Sequence, residues 1–284
     1  MFGDSNSPIK GPHSIEMSAN GDMWLTLALS GEMAKFDPKT KEYTVVSAHP
    51  TRKRAGYPHT LRVDQELGTV WWTDAGLGVF SIHPETYQVK FYDLPDADQV
   101  RGGGAGGESR GITPYGIDIA PDHKVWYSKL NGQRIGRVDP EAADGSPDQI
   151  VEWKPPVHGP RRLHVAPNGI VWVPGWASGD IASFEPESET WKVYDMPNGP
   201  NSLPYALNIH PQTGEVWITG TGTDSIVRFD PKTEEFFEYR LPTRVTYTRE
   251  IEFDAEGNVW TCNSNGPTRH IENHHGSVIR LAFN

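Results

Sequence analysis

Six side chains with reactive or ligand-binding chemistry recur at one position of a repeat. They are His13, His59, Tyr115, Arg161, Tyr205 and Arg249, in the pairs Pro12-His13, Pro58-His59, Pro114-Tyr115, Pro160-Arg161, Pro204-Tyr205 and Thr248-Arg249. Imidazoles titrate near neutral pH and serve as general bases. Guanidinium groups and phenol hydroxyls suit a ligand rich in carboxylate or carbonyl oxygen. Three residues after each of these lead residues the side chain is polar again: Glu16, Arg62, Asp118, His164, Asn208 and Glu252, flanked by apolar neighbours such as Leu61/Val63 and Leu207/Ile209. Period-2 alternation places this second set on its own side of a strand. It reads as the wall of a water-lined channel, or as a cation site in which Glu16, Asp118, Asn208 and Glu252 offer oxygen ligands to Mg²⁺ or Ca²⁺.

Further positions extend that list. Asp74, expected beside His59, can orient an imidazole or join a metal shell. The residues three after each repeated Trp are expected at the same opening: Leu27, Asp74, Lys129, Gly175, Gly220 and Asn263. Trp176 is expected as an exposed stacking platform. The glycine-rich stretch at 101–107 lacks the following helix that a phosphate-cradling loop needs, and reads as a surface loop. His270, Glu272 and His274 have metal-ligand spacing on an extended strand, within a His- and Asn-rich insert that reads more simply as solvated. There is no Gly-x-Ser-x-Gly elbow, no His-Glu-x-x-His and no paired Cys nucleophile, so those hydrolase chemistries have no support.

These residues need a scaffold that brings distant positions together. A Val/Met-Trp pair recurs at Trp24, Trp71, Trp126, Trp172, Trp217 and Trp260. Each is followed by an aliphatic or aromatic residue, a variable residue and Pro in a turn, as in Phe36-Asp37-Pro38 and Phe229-Asp230-Pro231, except in the last copy. Between Leu203 and Pro242 four short strands alternate with turn sequences. Four strands in each of six copies predict an all-β fold: a β-propeller of four-stranded antiparallel blades. Six blades are expected, or seven if the chain is a trimmed form. The sixth copy has sequence for only three strands. The expectation is a single domain over 1–284, its ring closed by the N-terminal segment pairing with the last blade. The six lead residues would then line one central opening.

The net charge of −11 argues against nucleic acid and anionic membrane as partners. What remains is a small-molecule or oligomeric organic ligand, bound by a monomer, with no organic cofactor. No window approaches the roughly 18 apolar residues of a membrane span. Cys262 is the single cysteine, which excludes a disulfide framework and a thiolate metal site. Met1-Phe2-Gly3-Asp4 shows no signal-peptide pattern. The chain reads as a soluble, mature or trimmed form, leaving cytoplasm and export both open.

The repeated Pro-His/Tyr-x-Ile, Asn-Gly-x-Val-Trp and Ile-x-Arg-Phe-Asp-Pro segments, with Gly132-Gln-Arg-Ile-Gly-Arg-Val138 as the closest copy, resemble the streptogramin (virginiamycin B) lyase family of β-propellers. The resemblance runs over nearly the whole chain. It implies a metal-assisted lyase that opens an ester of a cyclic depsipeptide by Mg²⁺-dependent elimination, with a His of a Pro-His pair as general base. Only His13 and His59 match that position. The glutamate that the family carries two residues before its His is Gly11 and Tyr57 here. Two alternatives stay open. One is a non-catalytic propeller binding an anionic or carbohydrate-like ligand through Tyr115, Tyr205, Arg161, Arg249 and Trp176. The other is a lactone hydrolase, although Lys10-Gly11-Pro12 puts Lys where gluconolactonase-like propellers carry a calcium-binding Glu.

Overall fold

The computed structural model of the chain describes residues 9–49, 56–95, 113–263 and 276–283. Those residues form six antiparallel sheets, five of four strands and one of three, in the manner of β-propeller blades. They divide into two compact units, Met1–Trp153 and Lys154–Asn284. The first unit holds blade one (β1 Pro12–Met17, β2 Met23–Leu27, β3 Glu32–Asp37, β4 Glu42–Ser47), blade two (β5 Pro58–Val63, β6 Val70–Asp74, β7 Gly78–Ile82, β8 Val89–Tyr92) and blade three (β9 Pro114–Ile119, β10 Val125–Lys129, β11 Arg134–Val138, β12 Ile150–Trp153). The second holds blade four (β13 His164–Val165, β14 Val171–Gly175, β15 Asp180–Glu185, β16 Thr190–Asp195), blade five (β17 Pro204–Ile209, β18 Val216–Gly220, β19 Ser225–Asp230, β20 Glu235–Arg240) and blade six (β21 Glu252–Phe253, β22 Val259–Cys262, β23 Val278–Leu281). The three-strand expectation for the sixth copy is met among the described residues. The N-terminal segment before residue 9, assigned to ring closure, lies outside them. Among the described residues no helix is long and apolar enough to cross a membrane.

The turns follow from their residues. In blade one, Asp37 Oδ1 accepts the amides of Lys39 (2.7 Å) and Thr40 (3.3 Å), closing an Asx turn over the Pro. Lys41 then takes a left-handed φ of 63° to start β4. Blade five repeats this with Asp230, Lys232 and Glu234. Four of the repeated Trp pack across onto the next blade: Trp24 with Leu61 and Phe80, Trp71 with Ile117 and Tyr127, Trp172 with Leu207 and Phe229, Trp217 with Ile251 and Val259. A buried indole removes roughly 150–250 Å² from water, so each interface carries several kcal/mol of apolar burial, about 25 cal/mol per Å².

A second device aims the lead residues. The inner strands of blades one, two and five carry a register irregularity just after their opening Pro. The hydroxyl two residues after the Trp fills it. Thr26 Oγ1 accepts the Ser14 amide at 2.9 Å, Thr73 Oγ1 the Thr60 amide at 3.3 Å, and Thr219 Oγ1 the Ala206 amide at 3.0 Å. In blade three, where the irregularity lies between Tyr127 and Lys129, Ser128 Oγ accepts the Gly116 amide at 2.9 Å. Blades four and six have Pro174 and Cys262 at that position, and their inner strands β13 and β21 shrink to two residues.

Candidate functional site

The six lead residues fall in two sets, one per unit. In the first unit His13, His59 and Tyr115 form a ladder of rings. The His13 and His59 centroids are 4.2 Å apart, and those of His59 and Tyr115 are 4.1 Å apart. Tyr57 meets His13 edge-on at 5.8 Å. Each imidazole is held by the next lead residue's main chain: His13 Nδ1 lies 3.1 Å from the His59 carbonyl oxygen, and His59 Nδ1 lies 3.2 Å from that of Tyr115. A carbonyl only accepts, so His13 Nδ1 carries a proton and its neutral ring holds the lone pair at Nε2, whereas His59 Nδ1 also lies 2.9 Å from the Thr60 hydroxyl, which can donate or accept. The same two carbonyls accept Thr26 Oγ1 (2.9 Å) and Thr73 Oγ1 (2.7 Å). The blade-aiming hydroxyls thus also fix the imidazoles. His59 is only 3% exposed, while His13 is half-buried.

Asp74 does orient an imidazole, but that of His49. His49 Nε2 sits 2.9 Å from Asp74 Oδ2, and both side chains are buried. Gly56 leaves room for the pair, since a Cβ there would collide with both groups. The other positions expected three after Trp are buried too, which removes them from any displayed surface. Lys129 Nζ donates to the Pro95 carbonyl at 2.6 Å and pairs with Glu152, which also accepts the Tyr127 hydroxyl at 2.6 Å.

In the second unit the cations are built into an aromatic cluster. The Arg161 guanidinium lies 3.9 Å from the Trp176 ring centroid and 4.3 Å from that of Tyr205. Arg249 lies 4.9 Å from the Tyr247 centroid and 5.8 Å from Tyr205. Tyr205 and Tyr247 meet Trp176 at steep angles. Trp176 therefore differs from the expected open platform: a guanidinium covers its face. Tyr205 is 1% exposed and acts as a wall for the cations. Beneath them Arg162 pairs with Glu250.

The deeper polar layer does not fit a divalent cation. In the first unit Arg62 stands between the two carboxylates, with Nη1 4.0 Å from Glu16 Oε2 and Nε 3.6 Å from Asp118 Oδ1. The guanidinium supplies the positive charge that a metal would bring. In the second unit Asn208 Nδ2 donates to the Ile251 carbonyl at 2.9 Å, its Oδ1 accepts the Ile209 amide at 2.8 Å, and Glu252 is exposed. Among the described residues no group of three His, Cys, Asp or Glu side chains gathers in a metal-binding arrangement. The glycine-rich stretch at 101–107 and the His/Glu set at 270–274 lie outside the described residues.

Sequence reasoning missed His49, which has no counterpart in the other repeats. It also missed the hydroxyls two after Trp, whose spacing was visible but whose partners are main-chain atoms.

Residues 107–279, more than half of the chain, match the model of the virginiamycin B lyase family. Among solved structures, the chain is similar to selenomethionine-substituted virginiamycin B lyase from Staphylococcus aureus, with 20% identity and a TM-score of 0.75 over 97% of this chain and 86% of that one. A catalytically inactive variant of that enzyme, solved with quinupristin, aligns at 21% identity with a TM-score of 0.74 over 90% of this chain and 78% of the other. A streptogramin B lyase structure aligns at 20% identity and a TM-score of 0.58, covering 90% and 91%. At these identities the likeness carries the fold. No curated protein matches the chain in sequence.

Proposed function

The chain belongs to the virginiamycin B lyase family, and from that premise we propose that it is a carbon–oxygen lyase opening an ester- or lactone-type bond, with His13 as the general base. The observation that carries this reading is the 3.1 Å contact of His13 Nδ1 with the His59 carbonyl oxygen. It sets the tautomer whose Nε2 can take a proton, on the one imidazole of the pair that is half-open to solvent. His59, buried and tilted against His13 with ring centroids 4.2 Å apart, keeps the ring in place. In the step itself, Nε2 removes a proton from the carbon α to a carbonyl. The electron pair forms a carbon–carbon double bond, and the β carbon–oxygen bond breaks to release a carboxylate. No water is consumed.

The test is incubation with quinupristin, the compound present in the similar structure, followed by mass spectrometry. Elimination gives an open product of unchanged mass, whereas hydrolysis adds one water. His13→Ala should lower the rate by about 10²–10⁴-fold, the range of general-base catalysis. The assay is run with and without added Mg²⁺, because the family resemblance implies the ion. Equal rates for wild type and His13→Ala would overturn the assignment of the base.

One observation favours a second reading, ligand binding without turnover. The Arg161 guanidinium, clamped against Trp176 and Tyr205, is a fixed cation of the kind used to hold an anion. Saturable binding of quinupristin by a protein that leaves it intact would select this reading.

A further inference from the structure

Blade six shows how this protein satisfies a Trp–Arg donor pair. Trp260 and Arg280 are cross-strand partners on β22 and β23. Both turn to the carboxylate of Asp254, the residue just after β21: Trp260 Nε1 donates to Oδ2 at 2.7 Å, and Arg280 Nε lies 3.9 Å from the same oxygen. Blade five carries the same pair. Trp217 and Arg228 are cross-strand partners on β18 and β19. The residue just after β17, where the carboxylate would stand, is His210. It cannot substitute for Asp254. Its Nε2–H donates to the Gly257 carbonyl at 3.0 Å, and its Nδ1 accepts the amides of Gln212 and Thr213, both at 3.3 Å.

Trp217 Nε1 and Arg228 Nε are consequently buried donors with no acceptor among the described residues, and Trp217 is only 1% exposed. Both side chains line a cleft of about 560 Å³ between the 210–215 and 254–258 hairpins, with the ring of Phe283 on its wall. Arg228 holds its position through Glu215, 3.4 Å from Nη1, and through the Phe237 ring, 4.3 Å from its guanidinium carbon.

We propose that this cleft binds the carboxylate of a small organic acid, which takes in blade five the place that Asp254 takes in blade six, with its apolar body against Phe283. The ligand class comes from the protein's own precedent: the same two donors, in the same register, close on a carboxylate in blade six. Glu256 on the cleft wall disfavours a second negative charge, so a monocarboxylate is selected over a dicarboxylate. The site is separate from His13 and does not depend on the lyase reading.

The probe is benzoate, with benzyl alcohol as its uncharged counterpart. The indole N–H resonance of Trp217 is identified among the ten Trp signals by its loss in Trp217→Phe. Benzoate should shift that resonance saturably, benzyl alcohol should not, and Arg228→Gln should weaken the response at least tenfold while the other indole signals stay in place. His210→Asp supplies an internal carboxylate and should move the Trp217 signal without benzoate and remove its response. No saturable shift with benzoate, or the same shift with benzyl alcohol, overturns the proposal.

Discussion

His13 owes its tautomer to a main-chain oxygen, while His59 Nδ1 shares a main-chain oxygen with the Thr60 hydroxyl. Because His13 Nδ1 faces a carbonyl, the lone pair of its neutral ring is held at Nε2. Nitrogen-15 NMR of the imidazoles at pH 8 should therefore show the His13 ring in the Nδ1–H form. An Nε2–H form for His13 would remove the base from the proposed elimination. Asp74 makes the opposite case. Its sequence position beside His59 suggested a role at the ligand, yet its carboxylate is buried against His49. Asp74→Ala should cost about 3–5 kcal/mol in unfolding free energy, the usual effect of stripping one partner from a buried pair. If it instead leaves stability intact and weakens ligand binding, Asp74 acts at the site and not in the scaffold. The lead residues were legible because each occupies a repeated slot. His49 was not, because its meaning lies in a partner 25 residues away.

At the scale of the strand and blade, the hydroxyl two after each Trp explains what alternation alone could not. The repeat predicts six equal inner strands. The structure has four of six residues, at β1, β5, β9 and β17, and two of two residues, at β13 and β21. The short ones coincide with Pro174 and Cys262, neither of which offers the hydroxyl that accepts the irregular strand's amide. The repeat's period is written in side chains, and so blade number and strand order could be read. The irregularity is a main-chain feature, so its cause was on view only as an unexplained Thr or Ser. Thr73→Val tests the link. It leaves the Thr60 amide and the Tyr115 carbonyl short of a buried partner and should cost about 1–3 kcal/mol, while Thr73→Ser should stay near wild type. Urea unfolding reads this as a lower midpoint at unchanged slope. Equal midpoints for Val and Ser would mean that the hydroxyl holds nothing.

At the scale of the whole molecule, two networks with opposite pH dependence contribute to the range over which the fold is most stable. His123 Nδ1 is 2.8 Å from Asp64 Oδ2 and Nε2 is 3.5 Å from Glu66, joining the hairpins of blades two and three. The hydrogen bond to Asp64, then the charges of Asp64 and Glu66, raise its pKa above the ordinary 6.5. Its contribution is fully present below 6.5 and is lost as pH rises through the raised folded value. Asp254 behaves in reverse. Desolvation pushes its carboxyl up, but the hydrogen bonds from Trp260 and Asn258 outweigh it and hold the pKa at about 2, against an ordinary 3.8. That stabilisation is present above 3.8 and is lost as pH falls through about 2. Melting temperature should thus plateau between about pH 4 and 6.5 and decline on both sides. His123→Gln should reduce the alkaline decline alone and Asp254→Asn the acid decline alone, the lowered carboxyls of Asp37, Asp122 and Asp144 sustaining what remains of the latter. Because a net charge of −11 adds self-repulsion as pH rises, the alkaline decline that survives in His123→Gln should shrink with added salt, and the part removed by the substitution measures the His123 network.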